Sequence, residues 1–342
     1  MMAQATNVNP VGVLNLRVGE LVEVLSAEEI FATLDENGEL DSLPFMPEML
    51  QYCGQRLTVG KVAHKLCDTI SATGMRRMHN AVHLSGVRCD GSAHGGCQTG
   101  CLIYWKEAWL KRAEVDSPAA PRVSGEPGLG RITLPLLAAR TRKNPGPDGE
   151  DRYSCQATEI LRAAPERLPF RNMSQYALDL SSGNVGLPSL IRTFLIGLFN
   201  RIQGYSARIL PPSLRFRGGL RWGFLQGSAG EKTPSGEFGF QPGELVRVKS
   251  KEAIMLTLDK NLLNRGMGFD TEMARFCDRE ARVVRRVDRV IDERTGRMLR
   301  MKNPCIVLEN TFCEGAHHAS CPRAFIPFWR EIWLERVERP TS

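Results

Sequence analysis

The chain matches itself at a fixed offset of 224 residues. Residues 19–114 lie over residues 243–338 without insertion or deletion, and about thirty of the ninety-six aligned positions are identical. Agreement of that extent without a gap marks a duplication, so any fold proposed for one half must serve the other. The same comparison acts as a filter, because two copies diverge except where structure or chemistry holds them.

Of ten cysteines and six histidines, four positions are kept in both copies: Cys53 with Cys277, Cys89 with Cys313, His94 with His318 and Cys97 with Cys321. Three thiols and one imidazole are a complete tetrahedral donor set for zinc. Cys89, His94 and Cys97 are close enough to bind as one loop, with Gly91 (matched by Gly315) turning the backbone. Cys101 is the rival fourth ligand, but the second copy has Phe325 there, which would make the two sites unequal. The first copy is richer in donors: His64, Cys67, His79, His83 and Cys101 face Asp288, Ile291, Asn303, Val307 and Phe325. A working site is therefore expected in the first copy. The acidic pairs Asp35/Asp259 and Glu48/Glu272 suit either a general base or helix caps.

Local patterns predict an α+β protein. Each copy opens on a short β-like stretch, Leu21–Val24 or Leu245–Val248, followed by a capped helix start at Ser26 or Ser250. Further short helices are predicted at Pro47–Cys53 and Thr271–Cys277, then a hairpin, clearest at Ala281–Asp292 and Arg297–Thr311 around the turn Glu293–Gly296. The spacing of Trp105, Glu107, Trp109 and Leu110, repeated as Trp329, Glu331, Trp333 and Leu334, suits a final helix, with a strand as the rival. Three regions follow: 15–114, a repeat with a Cys/His site; 115–236, loop-rich and then helical; and 237–342, the diverged repeat. The apolar spacing over Ser189–Gln203 predicts a helix packed between the repeats.

The Gly-Glu-Leu-Val-x-Val opening resembles the first strand of SH3-like barrels, which implies two tandem small β-barrel-like (SH3-like) repeats with inserted short helices. Cys89-Asp-Gly-Ser-Ala-His94 resembles the iron–sulfur motif Cys-Asp-Gly-Ser-His, which implies a two-iron cluster; here an alanine precedes the histidine and the upstream Cys-x-Cys pair is missing. Leu43–Met49, Cys89–Cys97 and Trp105–Leu110 together resemble a bacterial family of uncharacterised function, and Cys155-Gln-Ala-Thr158 belongs to that likeness. The resemblance implies a bacterial source and makes Cys155 a ligand candidate delivered from the middle of the chain.

Composition sets outer bounds. A net charge of +7 permits an anionic partner without requiring one. The first sixteen residues lack the basic start and apolar core of a secretory signal. Leu187–Ile202, the most apolar stretch, is interrupted by Arg192, Asn200 and Arg201 and is too polar to span a bilayer. The leading expectation is a cytoplasmic zinc-binding scaffold or recognition protein with a protein or small-molecule partner. The alternative is a metalloenzyme centred on the first copy, where extra histidines and Glu107 move protons. The third is a nucleic-acid binder using Arg215, Arg217 and Arg221 interleaved with Phe216, Trp222 and Phe224.

Overall fold

A computed structural model describes residues 13–114, 133–147 and 149–337; most of the loop expected over residues 115–151 lies outside them. The protein is a mixed α/β molecule of small antiparallel sheets and few helices. In the first half, β1 (Leu21–Val24), β2 (Arg56–Val62), β3 (Ala81–Leu84), β4 (Trp105–Lys106) and β5 (Leu110–Arg112) form one sheet in the order β4-β3-β2-β1-β5. In the second half, β6 (Leu245–Val248), β7 (Glu280–Ile291), β8 (Met298–Leu308), β9 (Trp329–Arg330) and β10 (Leu334–Arg336) take the order β9-β8-β7-β6-β10. β1 and β6 start 224 positions apart, as do the matching starts of β2 and β7, β4 and β9, and β5 and β10.

The expected barrel does not close. β4 and β5 are opposite edges of the sheet and do not pair with each other. The 3-10 turn Glu107–Trp109 carries the chain directly from one edge to the other. That turn also corrects the expected helix over Trp105–Leu110, which is strand, turn and strand, as is its counterpart through Glu331–Trp333. All four tryptophans of these segments are fully buried. Phe45 meets Trp109 edge-on at 5.3 Å and Phe269 meets Trp333 at 5.3 Å. Each of those indoles donates to a threonine, Trp109 to Thr33 at 3.0 Å and Trp333 to Thr257 at 2.9 Å. Burying an indole with its N–H satisfied gives each half a large apolar anchor at little polar cost.

Short helices begin where the caps predict. Ser26 and Glu29 form a capping box at α1 (Ala27–Phe31). The middle of the chain supplies α2 (Leu134–Arg140), α3 (Ile160–Ala163), α4 (Ser174–Ser181) and α5 (Leu187–Ile209), and Ser250 caps α6 (Lys251–Met255). α5 is longer than the periodicity suggests and is not sandwiched between the halves. It buries only Leu190, Thr193, Ile196 and Gln203, and exposes Ile191, Leu195, Leu198 and Ile202. No helix among the described residues is long and apolar enough to cross a membrane.

The halves interlock reciprocally. The backbone N–H of Ile291 donates to Cys97 Sγ at 3.4 Å, and that of Cys67 donates to Cys321 Sγ at 3.2 Å. Those two bonds are the same bond displaced by 224 residues in both partners, so each half offers its Cys loop to the other half's hairpin. Thr69 donates to Glu293, which occupies the equivalent position in the second half.

Candidate metal centre

Glu48 comes from the 3-10 turn Pro47–Tyr52, whereas Cys89 and His94 come from the loop after β3. One ligand atom from each lies within 4.8 Å of the other two, so this group could hold a metal ion. Cys89 Sγ and His94 Nε2 are 3.4 Å apart, the thiol donates to Glu48 Oε1 at 3.4 Å, and His94 Nδ1 is 3.5 Å from the same oxygen. Gly91 makes the loop tight: at φ +74°, its carbonyl accepts the N–H groups of His94 and Gly96, at 3.1 and 2.9 Å. An L-residue there would place Cβ 2.1 Å from the Cys97 carbonyl oxygen.

Burial sets the charge state of the trio. It pushes the Glu48 carboxyl and the Cys89 thiol up, and it lowers His94 to about 4 against the attraction of Asp90. His94 is thus a neutral imidazole, the form that ligates a metal. Glu48 Oε2 and His94 Nδ1 are buried without a hydrogen-bond partner. Unpaired buried polar atoms cost about 1–3 kcal/mol each, a cost that a bound cation would offset. The nitrogen, sulfur and oxygen donor set fits a borderline metal ion.

A cavity of about 40 Å³ adjoins the trio, and Cys97, Cys101 and Cys155 also line it. Burial raises the Cys101 thiol and pushes that of Cys155 up to about 12. Cys155 is brought by the middle segment, where Gln156 bonds Tyr104 and Pro44 of the first half. The far wall comes from the second half through Ile291, Glu293 and Arg323.

Other sequence candidates lie elsewhere. Cys53 caps the turn after Glu48 and packs against the first core, as Cys277 packs against the second; burial raises each thiol to about 11. Neither lines the cavity beside the trio. His64 faces Asp179 at 3.2 Å, His79 faces Glu166 at 3.4 Å, and His83 is buried against the Ile103 carbonyl at 2.8 Å. Glu107 is not free to move protons: its carboxylate accepts the backbone N–H groups of Leu14, Asn15 and Leu16. Glu331 holds Phe238 and Gly239 in the same way.

The second copy arranges its matched residues differently. Glu272 accepts the His317 N–H at 2.7 Å, and His318 turns to Asp270 at 3.5 Å, in a larger cavity that Cys67 and Cys313 also line. Burial pushes Cys313 up to about 12. Burial also opposes ionisation of Cys321, but hydrogen bonds led by that from Cys67 outweigh it and bring its thiol below the usual range. Among the described residues, Glu48, Cys89 and His94 form the one group of three such residues whose ligand atoms lie within 4.8 Å of one another.

Sequence reasoning reached Cys89 and His94 through their spacing. It noticed Glu48 as a retained acid but not as their partner, because no local pattern ties a carboxylate to a cysteine forty-one positions on. No protein-family model, no curated protein and no solved structure matches the chain.

Proposed function

We propose that the protein is a cytoplasmic metal-binding scaffold or recognition protein whose first half holds a zinc ion at Glu48, Cys89 and His94. The observation that carries this reading is the convergence of donor atoms from those three residues, two of which, Glu48 and His94, also hold a buried polar atom without a hydrogen-bond partner. Zinc is the choice because the set mixes thiolate, imidazole and carboxylate. A scaffold role follows from the loop itself: past His94 it presents Cys97 and Gln98 to the second half, where Gln98 Oε1 accepts the N–H groups of Asp288 and Arg289. Metal at one end of this loop would stiffen the seat of the other half. Ten free thiols suit a reducing compartment. The strand order, with a 3-10 turn before the last strand, supports reading each half as an open SH3-like unit.

A second reading is a metalloenzyme at the same place. Three protein donors beside a cavity is the arrangement of catalytic zinc sites, which keep one position for water or substrate. The two readings share one decisive experiment. Purified protein should carry about one zinc per chain by mass spectrometry, and Glu48→Gln, Cys89→Ser and His94→Ala should each weaken zinc binding roughly a hundredfold or more. Metal content unchanged in all three variants would refute the site. In cobalt-substituted protein, a visible spectrum insensitive to added azide favours the scaffold, and a shifted spectrum favours the enzyme.

A further inference from the structure

The duplication allows one face to be compared with its own copy. In the first half, the strand Met75–Arg77 pairs with Lys65–Cys67 on one side and with Arg167–Leu168 on the other. The segment that adds this last strand also fills the groove beside it: Arg76 donates to the Ala164 and Pro165 carbonyls, and the Arg77 N–H to that of Glu166. The cations of Lys65–Cys67 and Met75–Arg77, and Lys106, each meet a carboxylate, whereas Arg167 of the added strand stands opposite Arg76. Lys65 reaches Asp179 at 2.5 Å, Arg76 reaches Asp68 at 2.9 Å, Arg77 reaches Glu166 at 3.6 Å and Lys106 reaches Asp41 at 2.8 Å.

The second half keeps the face and lacks the filling. Leu299 and Arg300 correspond to Met75 and Arg76 and pair with Val290 and Arg289. The chain meets the start of this strand, through the bridge of Arg152 to Arg297 and the bond from the Met298 N–H to the Asp151 carbonyl, so that Glu150 and Asp151 line one end of the face. Among the described residues, however, no strand pairs with the other edge of Leu299–Met301. A cleft of about 1180 Å³ lies there instead. Its charge has also changed sign at a key point. The Lys106–Asp41 pair of the first half becomes Arg330 and Arg265, two cations. Arg289 and Arg300 are exposed and stand directly opposite each other across the strands, a like-charge pairing that destabilises a sheet. Neither they nor Lys302 has an ion-pair partner among the described residues.

We propose that this cleft is a docking site for an extended acidic segment of a protein partner, which adds a strand to the open edge at Leu299–Met301 and places carboxylates against Arg289, Arg300 and Lys302. The chain itself supplies the pattern for this occupant in the first half, where Glu166 at the start of the added strand faces Arg77 and Asp179 of the following helix faces Lys65. Backbone bonds to the edge give such a segment its register, and charge gives it selectivity. The proposal stands independently of the metal site, which lies in the other half.

The test uses the full chain and a fluorescein-labelled peptide of alternating glutamate and valine. Its anisotropy should saturate, an alternating lysine–valine peptide should not bind, and amide exchange at residues 299–302 should slow in the complex. The double variant Arg289→Glu with Arg300→Glu, both exposed, should bind the acidic peptide about tenfold or more weakly and gain affinity for the lysine peptide. Three results would overturn the proposal: acidic-peptide binding indifferent to the charge reversal, binding of a short thymidine oligonucleotide but not of the peptide, or no binding at all. The last would leave the cations as protection of an open edge against aggregation.

Discussion

At Gly91 the backbone conformation and the space around it act together. Its φ of +74° and the Cβ contact of 2.1 Å with the Cys97 carbonyl leave no room for a side chain. Gly54 has nearly the same φ, +73°, but nothing within 4 Å of its Cβ direction. Gly54→Ala should therefore cost only the left-handed backbone term, about 1–2 kcal/mol. Gly91→Ala should cost clearly more and, on the proposed function, also weaken metal binding, because the loop must shift. Urea denaturation and a chelator competition would separate these two effects. Glu107 is the other residue where geometry overrules expectation. Glu107→Gln should lower stability by about 1–3 kcal/mol, since a carboxylate bonded to three backbone N–H groups becomes a neutral amide with one acceptor oxygen. Metal content should not change, and equal stability in urea would contradict the role assigned to it. The spacing of Cys89 and His94 was legible in the sequence because both lie on one turn of chain. The roles of Glu48, Cys53 and Glu107 were not, because each depends on contacts made far along the chain.

Among the elements, α3 and the loop before it join the middle segment to the first half by packing Ile160, Ala163 and Ala164 into its core and by an ion-pair cluster at the rim. Burial opposes ionisation of Glu159, but bonds from Lys143 and Arg162 outweigh it and bring its carboxyl down to about 2. Arg162 also reaches Glu39 at 2.7 Å. The folded pKa lies below the ordinary value of 4.5. The stabilisation is therefore fully present above that ordinary value and is lost as pH falls from about 4.5 toward about 2. Glu159→Gln should be less stable than the parent near neutral pH and should flatten the loss between pH 5 and 2, measured by urea midpoints across that range. Element types followed the sequence where the signal was local, as with the caps at Ser26 and Ser250 and the valine-rich hairpin of β7 and β8. The segment from Trp105 to Leu110 misled because spacings of two and four residues suit a strand–turn–strand as well as a helix. Burial of both tryptophans against Phe45 decided between them.

For the whole molecule, the important contacts are those between halves. Arg323, only 4% exposed, donates to the Cys67 carbonyl at 3.2 Å, to Thr69 at 3.0 Å and to Glu293 at 2.8 Å. Arg323→Met leaves Glu293 without that partner and removes two bonds across the seam, a loss of about 3–5 kcal/mol. The parent should unfold in one calorimetric transition, whereas the variant should show two as the halves uncouple. A single unshifted transition would show that the seam is held elsewhere. Sequence alone determined that residues 19–114 match residues 243–338 without a gap, where the turns and caps fall, and which cysteines and histidines recur at that offset. Those properties are local, or follow from comparing the chain with itself. Only the tertiary structure decided that Glu48 meets Cys89 and His94, that Cys155 arrives at the same cavity, and that each Cys loop is seated on the other half. The physical reason is that donor convergence and burial are properties of approach between distant segments, and spacing along a chain does not encode approach.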